Sequence, residues 1–246
     1  MGKKIIVGIS AIVISLVLFS SSKKSPKPKK SPTPPNVILI LMDDMGYGDL
    51  ECYGGFPYHT PNINNLAAGG MRFTNYYAPQ GVCSASRAGL LTGCYPNRIG
   101  ISGALSPFSQ IALNPNEQTI ASILKDKGYK TAMFGKWHVG QKAPFLPLNY
   151  GFDEFVGLPY SHDYWPVNYD GTPLDTSTTR GKWPVLHLIE GNTPTKALTT
   201  LDDAATLTTL YTDKAVSFIR KNKSNPFFFV PGPCHAACTF SSFFKI

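Results

Sequence analysis

The sequence predicts an α/β fold in which a mainly parallel sheet is sandwiched between helices. Three observations predict it. An apolar, β-favouring run at 36–42 (NVILILM) is too continuous for a sheet with one wet face, and 129–135 (YKTAMFG) and 226–230 (PFFFV) also read as strands. Helical patterns separate these runs, so strands and helices alternate along the chain. Polar residues and glycines follow two of the runs directly, at the carboxyl ends of strands where open α/β sheets bind ligands. The 246 residues, 43% of them hydrophobic, suffice for the core of one sizeable domain.

The chain opens with Lys3 and Lys4, an apolar run from Ile5 to Phe19, and then Ser20, Ser21 and Ser22. That is the layout of a secretory signal peptide over residues 1–22. The run falls short of the roughly 20 residues that span a bilayer, so cleavage is the expectation. Membrane attachment follows only if the segment remains as a signal anchor. Ile6 stands where a myristoylation motif needs Ser or Thr, which sets lipidation aside. Residues 23–35, KKSPKPKKSPTPP, form an extended Lys/Pro/Ser linker that cannot pack. Seven of the net +8 charges lie before Pro35, so the basic balance describes leader and tether and no nucleic-acid partner is expected. The export route points to a lysosomal or extracellular destination, and Asn222-Lys223-Ser224 is a glycosylation sequon. Cysteines at 52, 83, 94, 234 and 238 are odd in number, which leaves one for chemistry.

From Asn36 the elements follow in order. The strand over 36–42, read as buried on both faces, stops at Asp43. Thr60 and Pro61 supply an N-cap and first-turn proline for a helix through Ala68, ended by Gly69 and Gly70. MRFTNYY, 71–77, predicts a strand, and Cys83 opens a helix that ends near Gly93. A helix from Glu117 to Lys127 is stopped by Gly128. The longest helical pattern, Leu201 to Asn222, gathers Leu207, Tyr211, Ala215, Phe218 and Ile219 on one face. Asp202 and Asp203 at its start and Arg220, Lys221 and Lys223 at its end suit the helix dipole. Residues 164–200, rich in Pro, Thr and Gly, predict no regular element.

The candidate site residues sit at these strand and helix ends. Asp43 and Asp44, followed by Gly46 and Gly48, offer hard oxygen donors for calcium or magnesium, although the same pattern also describes a solvated turn. Lys136 and His138 in GKWHVG project the same way if the chain is extended there. A cation and an imidazole together suit an anionic substrate; a solvated lysine and a backbone-satisfied histidine are the plainer reading. Ser161 and His162 are adjacent and so do not form a triad; they serve better as donors on a substrate-facing loop. Cys83 stands at a helix start, where free N–H groups favour an anion, with Arg87 one turn along. A buried thiol or a disulfide partner is the alternative for Cys83.

CSASRAGLLTG, 83–93, resembles the sulfatase signature Cys-x-Pro/Ala-Ser-Arg followed by Leu-Thr-Gly, with Ala85 in place of the commoner proline. The succession of DD, CSASR, GKWH, GFDEF and PYSHD over 36–163 is similar to that of arylsulfatases. The resemblance implies an alkaline-phosphatase-like fold and hydrolysis of sulfate esters. It implies that a formylglycine-generating enzyme oxidises Cys83 in the endoplasmic reticulum to an aldehyde, formylglycine. One hydroxyl of the aldehyde hydrate would attack sulfur, and the other would expel sulfate by collapse to the carbonyl, an exit that serine lacks. Asp43, Asp44 and the modified Cys83 would hold one calcium ion, Arg87 the hydrate, Lys136 and His138 sulfate and hydrate, and Ser161 a sulfuryl oxygen. His162 would line the same loop. His235 matches a substrate histidine, with Cys238 where the family has a second. The family's later Asp-Asn pair and second lysine have no counterpart, so residues 36–246 are expected to be the N-terminal portion of a catalytic domain, C-terminally truncated. A truncated, inactive chain that binds sulfated glycans or a protein partner is the alternative. A phosphodiesterase or alkaline-phosphatase relative would carry Thr or Ser at position 83.

Overall fold

A computed structural model describes residues 33–55, 58–161, 167–168 and 170–232. The expected signal peptide, nearly all of the linker, His162 and His235 lie outside the described residues. The chain divides into two units, Met1–Thr33 and Pro34–Ile246, and the described fold belongs to the second.

Six strands are described: β1 Val37–Ile38, β2 Lys130–Lys136, β3 Glu154–Leu158, β4 Leu186–Glu190, β5 Thr193–Leu198 and β6 Phe227–Pro231. The helices are α1 Pro61–Gly69, α2 Cys83–Thr92, α3 Ile120–Asp126, α4 Leu201–Ala205 and α5 Leu207–Asn222, with short 3-10 turns between. The strands form one mixed sheet in the order β1-β6-β2-β3-β4-β5. Pairings are parallel from β1 through β3 and antiparallel across β4 and β5.

Alternation along the central strands builds a core on each face of the sheet. Phe228, Val230 and Met133 face Ala85, Ala88 and Leu91 of α2 and Ala121 of α3. Phe227, Phe229, Ala132 and Phe134 face Leu207, Tyr211, Ala215 and Phe218 of α5, with Ile219 packed at the margin. This is the predicted helix–sheet–helix sandwich. Local chemistry fixes the helix ends. Thr119 and Ser122 form a reciprocal cap at α3, and Thr200 and Asp203 do the same at α4. Gly93 closes α2 in the left-handed region, at φ 70°, and its N–H donates to Gly89 O.

Several expectations are corrected. MRFTNYY is not a strand; its main chain is held by Tyr47, whose hydroxyl accepts from Tyr76 N–H and donates to Tyr76 O. β-propensity without a neighbouring strand to pair with produces no ladder. The first strand is not buried on both faces: β1 lies at the sheet edge, and Ile38 is 47% exposed. Residues 154–158, for which no element was predicted, form β3, and 186–198, read as irregular, form the β4–β5 hairpin around Gly191 and Asn192. The single helix predicted over 201–222 is interrupted at Thr206. The sequon asparagine is engaged: the buried Asn222 amide donates to Phe218 O at 2.9 Å.

β2 and β3 approach too closely for side chains at one paired position. Gly157 pairs with Gly135, and a Cβ at Gly157 would lie 1.8 Å from Gly135 O. Backbone cannot yield as a flexible side chain does. Gly157→Ala is therefore expected to lower stability by about 3 kcal/mol, the upper range for overpacking, read as a reduced urea midpoint with an unchanged slope.

Candidate active site

The carboxyl ends of β1 and β2 and the first turns of α2 meet around one carboxylate. Asp43, five residues beyond Ile38, accepts from Arg87 Nη2 at 2.9 Å and from Lys136 Nζ at 2.6 Å. Arg87 lies on α2, one turn from Cys83, and its Nη1 also donates to Lys136 O at 2.5 Å. Lys136 is the last residue of β2. Both cations are nearly inaccessible, at 4% and 3% side-chain exposure, so neither has solvent as an alternative partner. Burial pushes the Asp43 carboxyl up, but the charges of Arg87 and Lys136 and their hydrogen bonds outweigh it and hold the group well below the usual carboxylate range.

The chain bends sharply at both strand ends. Asp44 and His138 are the two non-glycine residues described with positive φ, at 57° and 59°. Asp and His tolerate this region better than most residues, and strain of this kind gathers at functional sites. The expectation that an extended chain aligns Lys136 with His138 is thus corrected: extended geometry ends at Lys136, and the left-handed turn at His138 redirects the imidazole. His138 N–H still donates to Pro159 O at 3.2 Å, which keeps this turn beside the segment carrying the buried Ser161.

The imidazole has a defined anchor. His138 Nε2 lies 2.8 Å from Leu105 O. A carbonyl only accepts, so Nε2 carries a proton and donates it to Leu105 O. Leu105 N–H in turn donates to Ser84 Oγ at 2.9 Å. Sequence reasoning missed Ser84 and Leu105. Ser84 lies within the quoted motif and was available to it; nothing marked Leu105.

Cys83 is half-buried at the first position of α2, after Val82, which provides no side-chain cap. Cys52, Cys83 and Cys94 are free thiols, which removes the disulfide alternative among the described cysteines. Asp44 is exposed. Asp43 and Asp44 are oxygen donors of the kind calcium takes, but calcium takes six to eight. Among the described residues no group of three His, Cys, Asp or Glu side chains converges, and both Asp43 oxygens already accept from cations. The described residues do not form a calcium site by themselves.

The sulfatase family model matches residues 35–234, which takes in all of this machinery. The chain belongs to the sulfatase family. It is 48% identical over 160 residues to human arylsulfatase A, covering 62% of this chain and 32% of that protein. It is 37% identical over 207 residues to human N-acetylgalactosamine-6-sulfatase, covering 80% of this chain and 38% of that one. Among solved structures, the PsFucS1 sulfatase from Pseudoalteromonas sp. aligns with a TM-score of 0.69 at 31% identity, covering 80% of this chain and 43% of that chain. This sulfatase chain thus spans about a third of the length of the curated relatives it matches.

Removal of the Asp43 charge leaves two buried cations uncompensated. Asp43→Asn is expected to cost about 3–5 kcal/mol in unfolding free energy, as for other broken buried pairs. A depressed folded-state pKa contributes stability that is present above the unfolded value and lost as pH falls through the folded one. Asp43 is ionised at both pH 5 and pH 7, so the penalty measured by urea unfolding should be equal at the two.

Proposed function

We propose that this chain supplies the nucleophile and the anion-binding side chains of a sulfuric ester hydrolase, with Cys83 converted to formylglycine in the secretory pathway. One observation carries the reading: the residue at the start of α2 is a free cysteine, and the same helix places Arg87 against the strand-end cation Lys136. A formylglycine-generating enzyme would act on Cys83 during maturation, and a lysosomal or extracellular destination follows from that route. The aldehyde would supply, as its hydrate, one hydroxyl to attack sulfur with departure of the ester's alcohol, and a second whose loss of a proton and collapse to the carbonyl would expel sulfate.

The chain's own residues then have separable tasks. The unshared N–H groups of the α2 first turn and the Lys136 ammonium favour a sulfate ester near position 83. Arg87 is held in one orientation by two hydrogen bonds, to Asp43 and to Lys136 O. His138, protonated on Nε2, accepts a proton at Nδ1. Ser161 donates to a sulfuryl oxygen, and His162 and His235 complete the substrate side. Calcium is expected in this family and would need oxygen ligands beyond Asp43 and Asp44; no step above is routed through it. The two engaged oxygens of Asp43 favour one second reading, a chain that binds sulfated glycans without turning them over.

Mass spectrometry of the peptide containing Cys83, from chain expressed through a secretory pathway, tests the proposal. An aldehyde in place of the thiol, with aryl sulfate turnover lost in Cys83→Ala, is the expected result. An intact thiol would remove the nucleophile and leave the binding-only reading.

A further inference from the structure

The segment between Ile101 and Leu113 contains no regular secondary structure, yet its middle is held from two sides. Ile101 and Leu113 are buried at its ends, while Ala104 and Ser106, flanking Leu105, are exposed. Leu105 itself is buried, and its two main-chain polar groups run in opposite directions: the N–H to Ser84 Oγ at 2.9 Å, the carbonyl to His138 Nε2 at 2.8 Å. Ser84 is fully buried and immediately follows Cys83 on α2. The rigid helix therefore fixes one end of a three-residue chain whose other end is the imidazole.

We propose that Ser84 is a positioning residue for His138, setting the tautomer and orientation of its ring through the main chain of Leu105. Buried polar groups are almost always paired, and both pairings here have ordinary hydrogen-bond lengths. Without the Ser84 hydroxyl, Leu105 N–H loses this acceptor, the exposed peptides on either side relax, and the carbonyl holds the Nε2 proton less firmly. The imidazole then loses the constraint that Leu105 O places on its Nε2 proton. The inference depends on the proposed role of His138 for its functional weight but not for its structural content.

The test is a long-range proton–nitrogen NMR spectrum of histidine side chains in the full chain, which has five histidines, for the wild type and Ser84 variants. The wild type should show His138 as the neutral ring protonated on Nε2. Ser84→Ala should move both His138 nitrogens toward the averaged values of exchanging tautomers, and Ser84→Thr, which keeps the hydroxyl, should retain the wild-type pattern. Should Ser84→Ala lose its near-ultraviolet circular dichroism, Ser84→Cys decides, because a thiol of similar size is a weak acceptor and should give a smaller shift in the same direction. Unchanged His138 signals in the folded Ala or Cys variant, or an Nδ1-protonated wild type, would overturn the inference. These spectra do not read turnover, so an inactive chain whose His138 responds to Ser84 counts against the hydrolase reading alone.

Discussion

One partly buried carboxylate holds the candidate site together. Asp43 receives Arg87 from α2 and Lys136 from the end of β2, and so joins the segment after β1 to both. Two buried cations near each other repel, and each loses hydration; a single anion between them offsets both terms only if the geometry is good. Distances of 2.9 and 2.6 Å, and the added hydrogen bond from Arg87 to Lys136 O, meet that condition. Cys83, one turn before Arg87, is thereby fixed relative to the strand ends; under the proposed function, an anion at the helix start would meet oriented donors with little reorganisation.

Backbone packing beneath the site supports the same arrangement. Gly135 has φ 127°, and a Cβ there would lie 2.4 Å from Gly232 O. With Gly157 on the next strand, two glycines let the carboxyl end of β2 close up against β3 and against the chain after β6, just before Lys136, His138 and Ser161 emerge. The left-handed turns at Asp44 and His138 follow at once. Tight strands below and strained turns above leave the side chains between them few alternative positions.

Much of this was legible in the sequence, for physical reasons that differ by element. Phe227–Pro231 and Lys130–Lys136 read as strands, and their burial follows from neighbours on both sides and helices on both faces. The face of α5 was read from its 3.6-residue spacing, which survives the interruption at Thr206 because the apolar residues all fall after it. MRFTNYY misled because strand propensity reports a side-chain fit to a sheet, and no sheet neighbour pairs with it. The β4–β5 hairpin was hidden by the Pro, Thr and Gly content of 164–200; β5 carries Pro194 at the sheet edge, where proline is tolerated. Cys83, Arg87, Lys136 and His138 were legible as motifs. The Asp43 hub and the Ser84–Leu105–His138 connection were not, since they depend on contacts between residues 21 to 93 positions apart.

The central claim is that Asp43 and Lys136 act on each other directly, across the junction of the two strands. A double-mutant cycle with Asp43→Asn and Lys136→Met, read as unfolding free energies in urea, measures that coupling. A coupling of about 1 kcal/mol or more, in the range seen for contacting residues, is the predicted result. Additivity within about 0.3 kcal/mol, the behaviour of distant sites, would contradict it.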